Sequence, residues 1–169
     1  MNSNNITLIS AFILVVLLQV MLFNNLHLFG FINPMVYLFF IINYRFESDQ
    51  TLFILLSFIL GFSIDFLSQS GGAHTIAILT IGFIRPLLIR NAFGVTAEIP
   101  AGFQNDSRTL NKTIFLILVI GIHHLLYFTF IFFNWDGIYL ILKNSLFTSL
   151  FSLILVALLS GLYTKLNDS

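Results

Sequence analysis

Asp65 and His74 have the residue types and the spacing to do chemistry together. They flank the turn Ser68-Gln69-Ser70-Gly71-Gly72, whose two glycines permit the positive φ angles of a sharp reversal. The turn can therefore fold the carboxylate against the imidazole. Such a pair is a proton relay, or half of a catalytic unit. An enzyme needs several converging groups, and no serine, threonine or second acid is placed beside this pair as an activated nucleophile. The expectation is a chain that is not an enzyme.

The other residues with chemical potential point the same way. His123 and His124 are adjacent. Neighbours on a helix point about 100° apart, whereas a helical metal site uses i, i+4 spacing. One of the two, hydrogen-bonded inside a bundle, is the expected arrangement. The chain has no cysteine, which excludes disulfides, thiolate nucleophiles and cysteine metal sites. No metal and no cofactor is expected. Arg85, beside Pro86, is expected to snorkel towards lipid phosphates; pairing with a partner or an anionic lipid is the alternative.

Composition defines the surroundings of these groups. The chain is 58% hydrophobic and 8% charged, with a mean hydropathy of +0.99. A soluble domain carries about 25% charged residues. So few charges cannot cover a globule of 169 residues, and a single integral membrane domain spanning 1–169 is expected. A formal net charge of zero leaves no basic footprint for nucleic acid. Asp65 then lies in or near hydrocarbon, where ionisable groups are costly, face bundle interiors and mark functional sites. The plainer alternative is an aspartate near a helix end that reaches the interface and caps a turn.

A spanning helix needs about 20 apolar residues. Ile6–Phe23, Thr51–Leu67, Ala73–Ile89, Lys112–Phe133 and Tyr139–Tyr163 meet or approach that length. Pro86 should kink the third of these. Phe31–Tyr44 is shorter: Asn33-Pro34 reads as an N-cap followed by proline at the first helical position. It crosses only if Leu26–Ile32 continues its path as a broken segment. An all-α bundle of six spanning helices is expected, with five as the alternative. Arg45, Arg90, Arg108, Lys112 and Lys165 then share the side of the N-terminus, which the positive-inside rule places in the cytoplasm together with the C-terminus. Trp135, Tyr139 and Tyr127 sit at the far interface, and Asn134–Gly137 is a short outer turn. Asp106 or Ser107 is a candidate cap for the fifth helix. The N-terminal segment lacks the basic region and the cleavage site of a signal peptide, so the first helix is expected to stay as an anchor.

The third helix carries a stripe. Ser57, Gly61, Asp65 and Ser68 follow i, i+4, i+8, i+11 spacing on an otherwise bulky helix. Small residues at this spacing let two membrane helices approach closely, either within the chain or between the chain and a partner. A packing and hydrogen-bonding role for Asp65 predicts that asparagine is tolerated there and leucine is not. The last helix repeats the device with Ser145, Ser149, Ser152 and Ser160.

The order of these features resembles a known family. A first anchor helix, Asn33-Pro34, Gly61-x-x-x-Asp65, the turn Gly71-Gly72 and His74 together resemble the rod shape-determining protein MreD family. The most distinctive part is residues 57–86. Many members place a proline or leucine with a single glycine in the turn, where this chain has Gln69-Ser70-Gly71-Gly72. The resemblance implies a bacterial inner-membrane protein with a non-enzymatic role in the cell-elongation complex. Its implied partners are the bitopic protein MreC, the actin-like MreB, and the glycosyltransferase RodA with its transpeptidase. It also implies a fold similar to the substrate-binding subunit of energy-coupling-factor vitamin transporters. That likeness supplies the alternative function, capture of a small vitamin. A capture subunit needs a polar, aromatic-lined cavity opening outward, and Asp65, Gln69, His74 and Trp135 are the groups available to line one. Ser57, Gly61, Asp65, Ser68, Gly71, Gly72, His74 and Arg85 are the candidate packing or partner-binding residues.

Overall fold

The computed structural model describes residues 3–45, 49–94, 103 and 108–167. Six α-helices follow in order: α1 Ser3–Met21, α2 Leu38–Asn43, α3 Gln50–Ser68, α4 Ala73–Phe93, α5 Thr109–Ile131 and α6 Ile138–Asn167. Within α3 to α6, Gln50–Ser68, Ala73–Phe93, Thr109–Ile131 and Ile138–Tyr163 are long and apolar enough to cross a bilayer. The chain is therefore a multi-pass membrane protein. α1 contributes to a shorter apolar stretch, Ile9–Asn25.

Helices α3, α4, α5 and α6 pack in sequence order, each on its neighbour, and α1 lies on α3. Their hydrophobic faces meet in one buried cluster. It includes Val15 and Val16 from α1, Ile41 from α2, Phe53 and Leu60 from α3, Ile78 and Ile81 from α4, Val119 and Ile120 from α5 and Val156 from α6. Outward faces are equally apolar. Phe62, Phe66, Phe83 and Leu146 are all exposed, as a lipid-facing surface requires.

The expected sixth span takes a different form. α2 has six residues and starts at Leu38, with Tyr37 as its N-cap, so Asn33-Pro34 does not open it. Leu26–Ile32 does not extend it either, because the chain reverses there: Leu28 N–H donates to Ile32 O and Ile32 N–H donates to Leu28 O. His27, Phe29 and Gly30 all have positive φ in this reversal. From Asn33 to Val36 the backbone is non-helical yet buried from Pro34 onward. Non-helical backbone at membrane depth persists only where its polar groups find partners inside the protein. Gln19 on α1 supplies one set: its Oε1 accepts from Val36 N–H at 2.7 Å, and its Nε2 donates to Pro34 O at 3.2 Å. Ser152 on α6 accepts from Met35 N–H at 2.9 Å. These side-chain partners explain why the segment stays non-helical where the sequence signals a helix start.

Pro86 lies inside α4, which continues to Phe93. A proline removes the N–H that would bond the carbonyl four residues earlier, here Gly82 O. Gln50, at the start of α3, donates its Nε2 to that carbonyl at 2.7 Å. A neighbouring helix thus meets the requirement the proline creates. Asp49 caps α3 by accepting from Thr51 N–H at 2.8 Å. α5 opens after Arg108; Asp106 and Ser107, the expected caps, lie outside the described residues. Arg90 in the last turn of α4, and Arg108 and Lys112 at the start of α5, fall at the end of the bundle away from the Ser68–Gly72 turn.

Candidate functional site

The stripe on α3 faces α4. A Cβ added at Gly61 would lie 2.6 Å from Thr75 Cα, and one added at Gly82 would lie 2.9 Å from Ser57 Oγ. Ser57 is fully buried and returns its hydroxyl to Phe53 O at 2.8 Å. The close approach built by Ser57 and Gly61 is therefore internal. Its effect is to carry the end of α3 onto the start of α4.

At that end the chain reverses through Gln69 in the left-handed region, followed by Gly71 at φ +68° and Gly72 at φ +93°. Asp65, 7% exposed, sits inside the reversal. One carboxylate oxygen accepts from Ser70 Oγ and from His74 N–H at 3.1 Å. The other accepts from Thr75 N–H at 2.7 Å and Thr75 Oγ1 at 2.5 Å. The carboxylate thus caps the N-terminus of α4 across the turn, satisfying orphan amides and meeting the positive end of the helix dipole. Ser68 donates its hydroxyl to Ile64 O at 2.5 Å. The expected carboxylate–imidazole contact does not form: Asp65 takes the backbone amide of His74, and the His74 ring turns into the bundle.

There it meets Tyr37, a residue the sequence reading passed over. Tyr37 is fully buried at the start of α2. Its hydroxyl lies 2.9 Å from His74 Nδ1 and 2.8 Å from His123 Nε2. His123 Nδ1 has no hydrogen-bond partner among the described residues. Orphaned buried N–H groups are rare, so the donor count assigns the His123 proton to Nε2, donating to Tyr37 Oη. The Tyr37 hydroxyl also lies 3.5 Å from Met35 Sδ, but a thioether is a weak acceptor, so its one proton goes to His74 Nδ1 at 2.9 Å, and His74 carries its own proton on Nε2. His124 is also buried, where one interior histidine was expected. Pointing away from His123, it places Nδ1 2.7 Å from Ile120 O and Nε2 3.1 Å from Ser152 Oγ. On α6 the buried polar positions are Asn144, Ser145, Thr148, Ser152 and Ser160, so Thr148 takes the place expected for Ser149.

Arg85 does not snorkel. It is 2% exposed, and its guanidinium donates to Tyr44 O at 2.5 Å and Arg45 O at 3.2 Å. Its Cζ lies 4.1 Å from the Phe53 ring centroid. Those carbonyls follow α2, so Arg85 satisfies the end of a short helix while stacking on an aromatic face. Snorkelling loses because these carbonyls are closer partners than the interface.

A cavity of about 210 Å³ opens at the turn end of the bundle, lined by Asn24, Asn33, Ser68, Ser70, His74 and Tyr127, with Phe31, Met35 and Phe128 as apolar walls. Of the expected site residues, Ser68 and His74 reach it directly; Asp65 stands behind Ser70; Ser57, Gly61 and Arg85 lie deeper along the α3–α4 contact. Among the described residues no group of three histidine, cysteine, aspartate or glutamate side chains is placed to hold a metal ion. Sequence offered one general signal for Tyr37, Gln19 and Ser152: polar groups inside apolar runs must find one another. Their partners lie far along the chain, so spacing alone could not pair them. No family model, no curated protein and no solved structure matches this chain.

Proposed function

We propose that the chain is a non-enzymatic, multi-pass component of the bacterial cell-elongation complex, in the manner of the MreD family it resembles. It sits in the inner membrane with both termini cytoplasmic, as its basic residues favour. It binds an MreC-type bitopic protein and supports wall synthesis by RodA and its transpeptidase alongside MreB. The observation that carries this reading is the use of Asp65. An intramembrane carboxylate reserved for a cargo or a proton keeps accessible lone pairs; this one accepts four hydrogen bonds from its own chain. Arg85 and Gln50 are committed in the same way to backbone carbonyls. The interior polar groups hold a fixed shape, and a fixed shape with a broad apolar exterior suits a membrane scaffold. The vitamin-capture alternative asks for more room: at about 210 Å³, below the roughly 300–1,000 Å³ of ordinary ligand pockets, the cavity holds no vitamin larger than a single substituted ring. Depletion of the chain in its own cells tests the proposal. Rods should become round, with wall synthesis dispersed. Cells that keep their shape and instead lose uptake of a small nutrient would point to the capture function.

A further inference from the structure

We propose that the cavity at the turn end is a binding site for a small, uncharged ring molecule carrying an amide-type edge. The chemistry of its lining sets the class. His74 is 2% exposed and lines the cavity. Its Nδ1 is taken by Tyr37, so the ring atom left for a ligand is Nε2, with the proton that the donor count places there. Asn24 Oδ1 accepts from Gln19 Nε2 at 2.8 Å, and Asn33 Oδ1 accepts from His27 N–H at 2.7 Å. Both asparagines therefore present their NH₂ groups as donors. In the same lining Ser70 gives its hydrogen to Asp65, and Ser68 lies within reach of both Ile64 O and Ser70 Oγ, the latter at 3.1 Å, so each serine oxygen keeps a lone pair to accept from a ligand. A ligand that both accepts and donates, as a carboxamide does, satisfies the donors and the acceptors of this lining together.

Charge and shape narrow the class further. No lysine, arginine, aspartate or glutamate lines the cavity, and the Asp65 carboxylate lies directly behind Ser70. An anion would meet that charge with no cation to offset it. Phe31, Tyr127 and Phe128 offer flat faces, with the Tyr127 and His74 ring centroids 4.6 Å apart. At about 210 Å³ the space matches one ring and its polar edge. The inference goes beyond the scaffold reading and does not depend on it: a ligand here would set the state of a scaffold, and its absence would leave the scaffold standing.

Titration calorimetry of the full chain in mild detergent, with benzamide as the probe and the detergent blank subtracted, tests the site. Benzamide should give saturable binding, while benzoate, which has the same ring and a negative charge, should give none. His74→Phe removes the Nε2 donor, and Ser68→Leu fills the space from its rim. Each should weaken benzamide by about tenfold or more, the equivalent of losing one good hydrogen bond, with the thermal unfolding of Ser68→Leu unchanged. The proposal is overturned if benzamide does not saturate, if benzoate binds equally well, or if Ser68→Leu binds as the native chain does.

Discussion

Asp65 shows how a residue legible in the sequence can be assigned the wrong partner. Its cost in hydrocarbon was evident from its position between two apolar runs, and so was its nearness to a glycine turn. What the spacing did not reveal is that helix α4 begins at Ala73, so that the nearest unsatisfied donors are the backbone amides of His74 and Thr75 rather than the imidazole. The tolerance expected of asparagine changes with this geometry. Both carboxylate oxygens accept, and asparagine replaces one of them with a donor facing other donors. Asp65→Asn should therefore lower stability by about 1–3 kcal/mol, the cost of unsatisfied buried polar groups. Asp65→Leu should cost more, because it removes all four bonds. Thermal unfolding of the purified variants in detergent gives the comparison; an Asp65→Asn protein as stable as the native one would remove the carboxylate from its capping role. Tyr37 was not legible in the same way. Its partners His74 and His123 sit 37 and 86 positions away in sequence, and only the folded bundle brings the three rings together.

At the scale of elements, the long helices were readable from length and hydropathy, and the bounds of α3 and α4 begin within one residue of expectation. The misjudged element is Phe31–Tyr44, whose helix opens at Leu38 rather than at Asn33-Pro34. A proline after asparagine signals a helix start only where nothing else claims the backbone, and here Gln19 and Ser152 claim it. The α3–α4 crossing makes the sharper test of packing. Gly61→Ala should destabilise by about 1–3 kcal/mol, because the added carbon meets backbone. Gly121→Ala in α5 meets nothing within 4 Å and should be neutral, or gain up to about 1 kcal/mol from helix propensity. Equal effects at the two glycines would mean that the crossing is not tight. The Gln50–Pro86 relation is testable as a double-mutant cycle. Gln50→Leu strips the partner from Gly82 O and should cost about 0.6–1.7 kcal/mol, the range for polar contacts between membrane helices. In a Pro86→Ala background the restored amide takes that carbonyl, and the same change should cost less. An unchanged cost in both backgrounds would separate the two residues.

Across the whole molecule, apolar groups fill the core and cover the outside as well, which inverts the surface of a soluble protein, and a minority of polar groups is buried among them. Composition alone foretold that inversion. It could not foretell that the buried polar groups would be divided between two tasks. Asp65, Gln19, Gln50 and Arg85 satisfy backbone groups left without helical partners, while His74, Tyr37 and His123 run inward from a cavity. The first set makes the bundle rigid and leaves its lateral surface free for other membrane chains, and on that division the scaffold account rests. Its most direct test is affinity purification of the tagged chain from its own membranes in mild detergent, followed by mass spectrometry of whatever remains bound. The account predicts an MreC-type bitopic protein at comparable abundance, with RodA and its transpeptidase in lesser amounts. Recovery of transporter ATPases and their coupling subunit in place of these partners would contradict it.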